Sequence, residues 1–160
     1  MPGLIVLCTD GSDHAEHALK AGLAIVKDPT DTVLVTVINP PDPSLVVGTG
    51  FASGAMTPEE FDALEISVKD EGSRILDHTM DAVGLADVDT KILTGEPASS
   101  ICDYAEEIDA SAIIIGTRGR GGFKRALLGS VSDYVVRHAT CPVDPDTIVL
   151  PEASPSSKVS

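Results

Sequence analysis

The apolar run Ser111-Ala112-Ile113-Ile114-Ile115 stops at Gly116-Thr117-Arg118-Gly119, and after nine more residues comes Gly129-Ser130. A run with so few polar interruptions reads as a strand covered on both faces, as in a parallel sheet. Glycines let the chain turn sharply and approach a ligand closely. The Gly-Ser pair opens a helix whose first N–H groups favour an anion. A buried strand must therefore feed a turn and then a helix.

The same alternation repeats along the chain. Leu4 to Cys8 and Val33 to Ile38 are apolar strands, and Val88 to Leu93 is a third. Ser12 and Asp13 are candidate caps of a first helix, with Glu16 three residues after Asp13 as in a capping box. Thr57-Pro58-Glu59-Glu60 starts a long helix running to about Val83, and another spans about Ala98 to Glu107. Ser130 and Asp133 repeat the capping box for a last helix through His138, and Ile148-Val149-Leu150 supplies a fifth strand. The spacing predicts a single α/β domain over residues 1–150. It is a Rossmann-like three-layer fold with a five-stranded parallel sheet of order 3-2-1-4-5 and helices on both faces. The Pro- and Gly-rich stretch 39–56 reads as a flexible loop or lid, and 151–160 as a disordered tail.

Charge narrows the function. The chain has 25 acidic and 11 basic residues, a net charge of −14. Such a surface argues against nucleic acid and anionic membranes as partners. It suits a salt-rich cytoplasm, where screening relieves self-repulsion. Against this background Arg118, Arg120, Lys124, Arg125 and Arg137 are gathered in one segment, with no carboxylate between Asp109 and Asp133. That basic island suggests a phosphate site. Cys8, Cys102 and Cys141 are widely spaced and odd in number, so no disulfide framework is expected and a cytoplasmic location follows. The four histidines lack metal-like clustering and read as surface or helix-end residues.

In an open parallel sheet, ligands bind beyond the carboxyl ends of the strands where the strand order reverses. In a 3-2-1-4-5 sheet that point lies between the first and fourth strands. Their ends are Thr9-Asp10-Gly11 and Gly116-Thr117-Arg118-Gly119. Asp10 can accept hydrogen bonds from ribose hydroxyls, backbone amides and Ser130 can hold phosphates, and Val37 offers an apolar wall to a base. The set fits a mononucleotide.

Gly-x2-Gly-x9-Gly-Ser at Gly116, Gly119, Gly129 and Ser130 resembles the motif of the ATP-binding branch of the universal stress protein family. Thr9-Asp10-Gly11-Ser12, Gly95-x-Pro97 and His138-Ala139-Thr140-Cys141-Pro142-Val143 extend the likeness from Leu4 to Val143. The resemblance implies a homodimer and bound ATP, with Mg2+ or Mn2+ held mainly by the phosphates. Carried across, it implies that Asp10 holds ribose and that Thr9, Val37 and Ile115 line the adenine side. Gly116, Gly119, Gly129, Ser130, Val131 and Ser132 would surround ribose and phosphates, with Arg118 beside them.

One departure is Asp144-Pro145-Asp146-Thr147, where the family runs from Cys-Pro-Val directly into its last strand, often the dimer edge. Proline cannot donate in a ladder, so that strand is expected to be bulged or delayed. The function expected is stress regulation by an ATP-binding protein that is not an enzyme. The alternatives are an interaction module without nucleotide and a slow ATPase. Related nucleotide-cleaving enzymes carry Ser-Gly-Gly-x-Asp-Ser or His-Ile-Gly-His, and neither occurs here.

Overall fold

The structure, a computed structural model, describes residues 3–46, 56–116 and 129–144. The elements are β1 (Ile5–Cys8), α1 (Asp13–Leu23), β2 (Thr32–Ile38), α2 (Pro58–Val83) and β3 (Asp89–Thr94). They continue with α3 (Pro97–Glu107), β4 (Ala112–Ile114), α4 (Ser130–His138) and β5 (Val143–Asp144). The sheet runs β3-β2-β1-β4 with every pairing parallel, and β5 joins the edge of β4 for two residues.

Alternation along each strand sorts the aliphatic side chains onto two faces. Leu7, Leu34 and Ile114 pack with Leu19 and Leu23 of α1 and with Leu76 and Met80 of α2. Val6, Cys8, Val33, Val35, Ile113 and Ile115 pack with Ile101 and Ala105 of α3 and Val135 of α4. Two helices therefore cover each face, which is why these strands read as nearly unbroken apolar runs. Val6, Leu7, Leu34 and Ile113 have no exposed surface, and each contributes about 1.5–3 kcal/mol by burial.

The helix starts separate into cases that the sequence predicts and cases that it does not. Thr57 and Glu60 close the expected capping box of α2: Thr57 N–H donates to Glu60 Oε2 at 2.7 Å, and Glu60 N–H to Thr57 Oγ1 at 3.2 Å. At α1 the cap is Ser12, whose Oγ accepts from Ala15 N–H at 3.2 Å. Asp13 lies inside the helix, and Glu16 pairs with His78 instead of closing a box. The box expected at Ser130 and Asp133 does not form, because Gly129 is the cap residue and makes no side-chain cap bond. Asp133 instead meets Arg137 one turn on, with Nε to Oδ2 at 3.1 Å.

The last strand also corrects the expectation. Pairing is not delayed: Ile113 N–H donates to the Pro142 carbonyl at 2.9 Å, and Val143 lies beside Ile113 at once. It precedes Pro145, so no proline falls within the paired residues. The strand expected at Ile148–Leu150 and the tail 151–160 lie outside the described residues, as do residues 47–55 of the loop at 39–56. The ends of that loop are joined by a parallel bridge between Val46 and Met56, with Met56 N–H donating to the Leu45 carbonyl at 3.1 Å.

Gly22 sets how closely α1 lies on the sheet. A Cβ there would stand 2.6 Å from Ile114 Cγ2 and 2.8 Å from Cδ1. Replacing glycine by alanine inside a helix gains about 1 kcal/mol of propensity, but overpacking a buried contact costs about 1–3 kcal/mol. Gly22→Ala is expected to lower stability by about 1 kcal/mol, a fall of roughly 2–4 °C in the circular-dichroism melt. A raised melting temperature would mean that Ile114 gives way.

Candidate functional site

β1 lies between β2 and β4, so the strand order reverses at the β1–β4 boundary and the carboxyl ends of these two strands open side by side. The β1 ladder continues one residue further, with Thr9 N–H donating to the Val35 carbonyl at 3.0 Å. Thr9 is buried. Its Oγ1 accepts from Gly11 N–H at 3.1 Å and lies 2.9 Å from Thr79 Oγ1 on α2. Asp10 Oδ1 accepts from Ser12 N–H at 2.9 Å, forming a side-chain turn. Gly11 has φ of 79°, a left-handed value that glycine adopts without steric cost. This turn presents the Asp10 carboxylate at the mouth of the sheet, with no hydrogen bond to Oδ2 among the described residues.

Gly116, just past β4, lies against the first turn of α1. A Cβ on it would approach Ala15 Cα and the His14 carbonyl oxygen, each at 3.5 Å. Gly129 and Ser130 begin α4, which returns from the carboxyl end of the sheet towards β5. Ser130 is exposed and Gly129 half-buried, and the helix start has no side-chain cap. Ser132 is buried, and its hydroxyl donates to the Gly129 carbonyl at 3.1 Å. That bond removes Ser132 Oγ–H as a phosphate donor, leaving the backbone N–H groups and Ser130 as the polar groups of the turn. Val131 packs against the α3–α4 side of the core. Arg118 and Gly119, with Arg120, Lys124 and Arg125, lie outside the described residues.

Two expectations change. Val37 and Ile115 share the sheet face covered by α3 and α4, whereas the Thr9 side chain turns to the opposite face and meets α2. These three side chains therefore form no common wall, because neighbouring positions of a strand point to opposite faces. Arg137 is drawn to Asp133 in the last turn of α4. That places it about 10 Å along the helix from Ser130, so it does not belong to an anion site at the helix start.

Electrostatics separate the starts of α1 and α4, which follow β1 and β4. α1 begins among its own carboxylates, Asp10, Asp13 and Glu16, which already offset its positive dipole end. α4 has no carboxylate before Asp133, and that one is paired with Arg137. An anion is therefore favoured at α4, and neutral hydroxyls are favoured beside Asp10.

Sequence reasoning did not connect the three cysteines, yet Cys8, Cys102 and Cys141 meet in the α3–α4 side of the core. Burial pushes the Cys8 thiol far up, and it raises Cys102 and Cys141 as well, with Asp103 adding to the effect at Cys102. All three remain neutral thiols near pH 7. Thr79 was also missed, since nothing in its local pattern marks it. Among the described residues no group of three or more His, Cys, Asp or Glu is placed to hold a metal, and no helix is long and apolar enough to cross a membrane.

The universal stress protein family pattern matches residues 1–143. The chain belongs to that family. Universal stress protein YxiE of Bacillus subtilis is 31% identical over 142 residues, covering 87% of this chain and 95% of its own. A solved structure of the protein MJ0577 has 25% identity and a TM-score of 0.68, covering 91% of this chain and 96% of its own. The universal stress protein of Archaeoglobus fulgidus in complex with dAMP shares the fold at 24% identity and a TM-score of 0.52, covering 90% and 97% of the two chains. Family membership and the α/β parallel sheet thus agree with the reading of the glycine and Thr-Asp-Gly-Ser motifs.

The turn at Asp10 can be tested by stability. Asp10→Ala removes the acceptor for Ser12 N–H and is expected to cost about 1 kcal/mol. Asp10→Asn keeps an acceptor oxygen and is expected to cost less than half of that in urea unfolding. Equal losses would show that the charge, rather than the turn, is what stabilises this segment.

Proposed function

We propose that this universal stress protein is a regulatory protein that binds an adenine nucleotide at the carboxyl ends of β1 and β4. ATP is the nucleotide put forward first. The observation that carries this reading is the uncapped start of α4 on the same end of the sheet as the Asp10 carboxylate. Structural neighbours of the same fold are described in complex with AMP, dAMP and cAMP. Here Gly129, Ser130 and the backbone amides of Val131 and Ser132 would hold phosphate, with Gly116, Arg118 and Gly119 next to them. Asp10 would accept from the ribose hydroxyls. Val37 and Ile115 would border the base, and Thr9 would contribute through its backbone. Mg2+ or Mn2+ would travel with the phosphates. The nucleotide would bring charge and a change in local order, and the protein residues would supply binding and orientation.

Binding rather than catalysis fits the way these side chains are used. Asp10 and Ser12 both accept from backbone amides of their own turn and helix start, which leaves no nucleophile held by a base at that turn. We place the protein in the cytoplasm, and a homodimer is its proposed assembly. Regulation would then run through nucleotide level.

Calorimetric titration with ATP and Mg2+, together with analysis of nucleotide extracted from the purified chain, tests this directly. Ser130→Glu puts a carboxylate where phosphate would sit and is expected to weaken binding at least tenfold, about 1.4 kcal/mol. Binding unchanged by Ser130→Glu would move the phosphates away from α4. Steady phosphate release that disappears in a Gly119→Val variant would replace the regulatory reading with an ATPase.

The charge of −14 carries the further proposal of adaptation to high salt. Raising KCl from about 0.1 to 1 M shortens the screening length from about 10 to 3 Å. The melting temperature is therefore expected to rise with KCl, and a flat profile would remove the proposal.

A further inference from the structure

Thr79 is an unusual choice for its position. It lies on α2 with no exposed surface, between the buried turn at Leu76 and the half-buried Met80. A valine would fill nearly the same volume without placing a hydroxyl in an apolar layer, where an unpartnered one costs about 1–3 kcal/mol. Among the described residues the hydroxyl has one partner, Thr9 Oγ1 at 2.9 Å, and that same oxygen accepts from Gly11 N–H at 3.1 Å. A continuous chain of hydrogen bonds thus runs from α2 through Thr9 to the left-handed residue that follows Asp10.

The next residue repeats the tie. His78 Nε2 stands 3.0 Å from Oε1 of Glu16, in the first turns of α1. Glu16 Oε1 is buried and has no hydrogen-bond partner among the described residues, so His78 faces it at ion-pair distance only. Neighbouring residues of α2 therefore hold both ends of the segment Thr9 to Glu16, whose middle presents the Asp10 carboxylate.

We propose that Thr79 is a positioning residue for the nucleotide site, fixing the Asp10 turn through Thr9 and linking its occupancy to the seating of α2. The proposal rests on the adenine-nucleotide reading above. α2 is also the helix that leaves the Val46–Met56 bridge. No residue of its first half, Pro58 to Glu71, is buried, so its attachment to the sheet depends on the half that contains Thr79.

Two substitutions separate positioning from packing. Thr79→Val keeps the shape and removes the hydroxyl, while Thr79→Ser keeps the hydroxyl and loses a buried methyl. With the full chain and ATP plus Mg2+ as probe, Thr79→Val is expected to weaken binding about five- to twentyfold, in line with one lost hydrogen bond, with little change in melting temperature. Thr79→Ser is expected to bind within twofold of the parent although it melts earlier. A purely structural role would make affinity follow stability across the two variants. Thr79→Val binding within twofold of the parent, or Thr79→Ser losing as much as Thr79→Val, would overturn the positioning role alone. A parent chain that binds neither ATP nor AMP would overturn the nucleotide reading and this role with it.

Discussion

Val6 and Leu7 lie at the centre of the sheet, with β2 and β4 on either side and a pair of helices over each face. With no face of β1 open to water, the strand can contribute to function only where it ends. Polar groups there must be satisfied locally, and the Thr9 to Ser12 turn does this with the Thr9 hydroxyl, the Asp10 carboxylate and a left-handed glycine. The position of the site follows from the burial of the strand.

α1 and α4 follow the two strands that flank this point, and the charges at their starts differ. α1 carries its own carboxylates, whereas α4 starts at a glycine without a side-chain cap. A ligand with a hydroxylated sugar at one end and phosphate at the other, as proposed above, would meet each helix start with suitable chemistry. The surrounding surface is strongly acidic, so attraction of an anion depends on local donors rather than on the long-range field of the molecule.

The strands could be read from the sequence because two-sided burial leaves a run such as Ile113-Ile114-Ile115 little room for polar residues. The start of α2 was equally legible, since a capping box depends only on side chains three residues apart. At α4 the expected box fails locally, because Gly129 rather than Ser130 is the cap residue. At α1 it fails through a distant competitor, with Glu16 drawn to His78 on another helix. The facing of Thr9 was hidden for the same reason, because its partner Thr79 lies 70 residues away. The glycine motif pointed to a candidate site at the strand ends, where Gly116 follows β4 and Gly129 precedes α4. Which hydroxyls remain available for a ligand, Ser130 but not Ser132, depended on tertiary placement.

The bridge between Val46 and Met56 has an evolutionary corollary. The two ends of the loop are joined by that bridge, so chain inserted between them need not alter the register of β2 or the start of α2. Doubling the length of such a closed segment costs only about 0.6 kcal/mol in closure entropy. Descendants of this fold can therefore acquire new contact surfaces at that point while the sheet and its strand-end turn remain as they are.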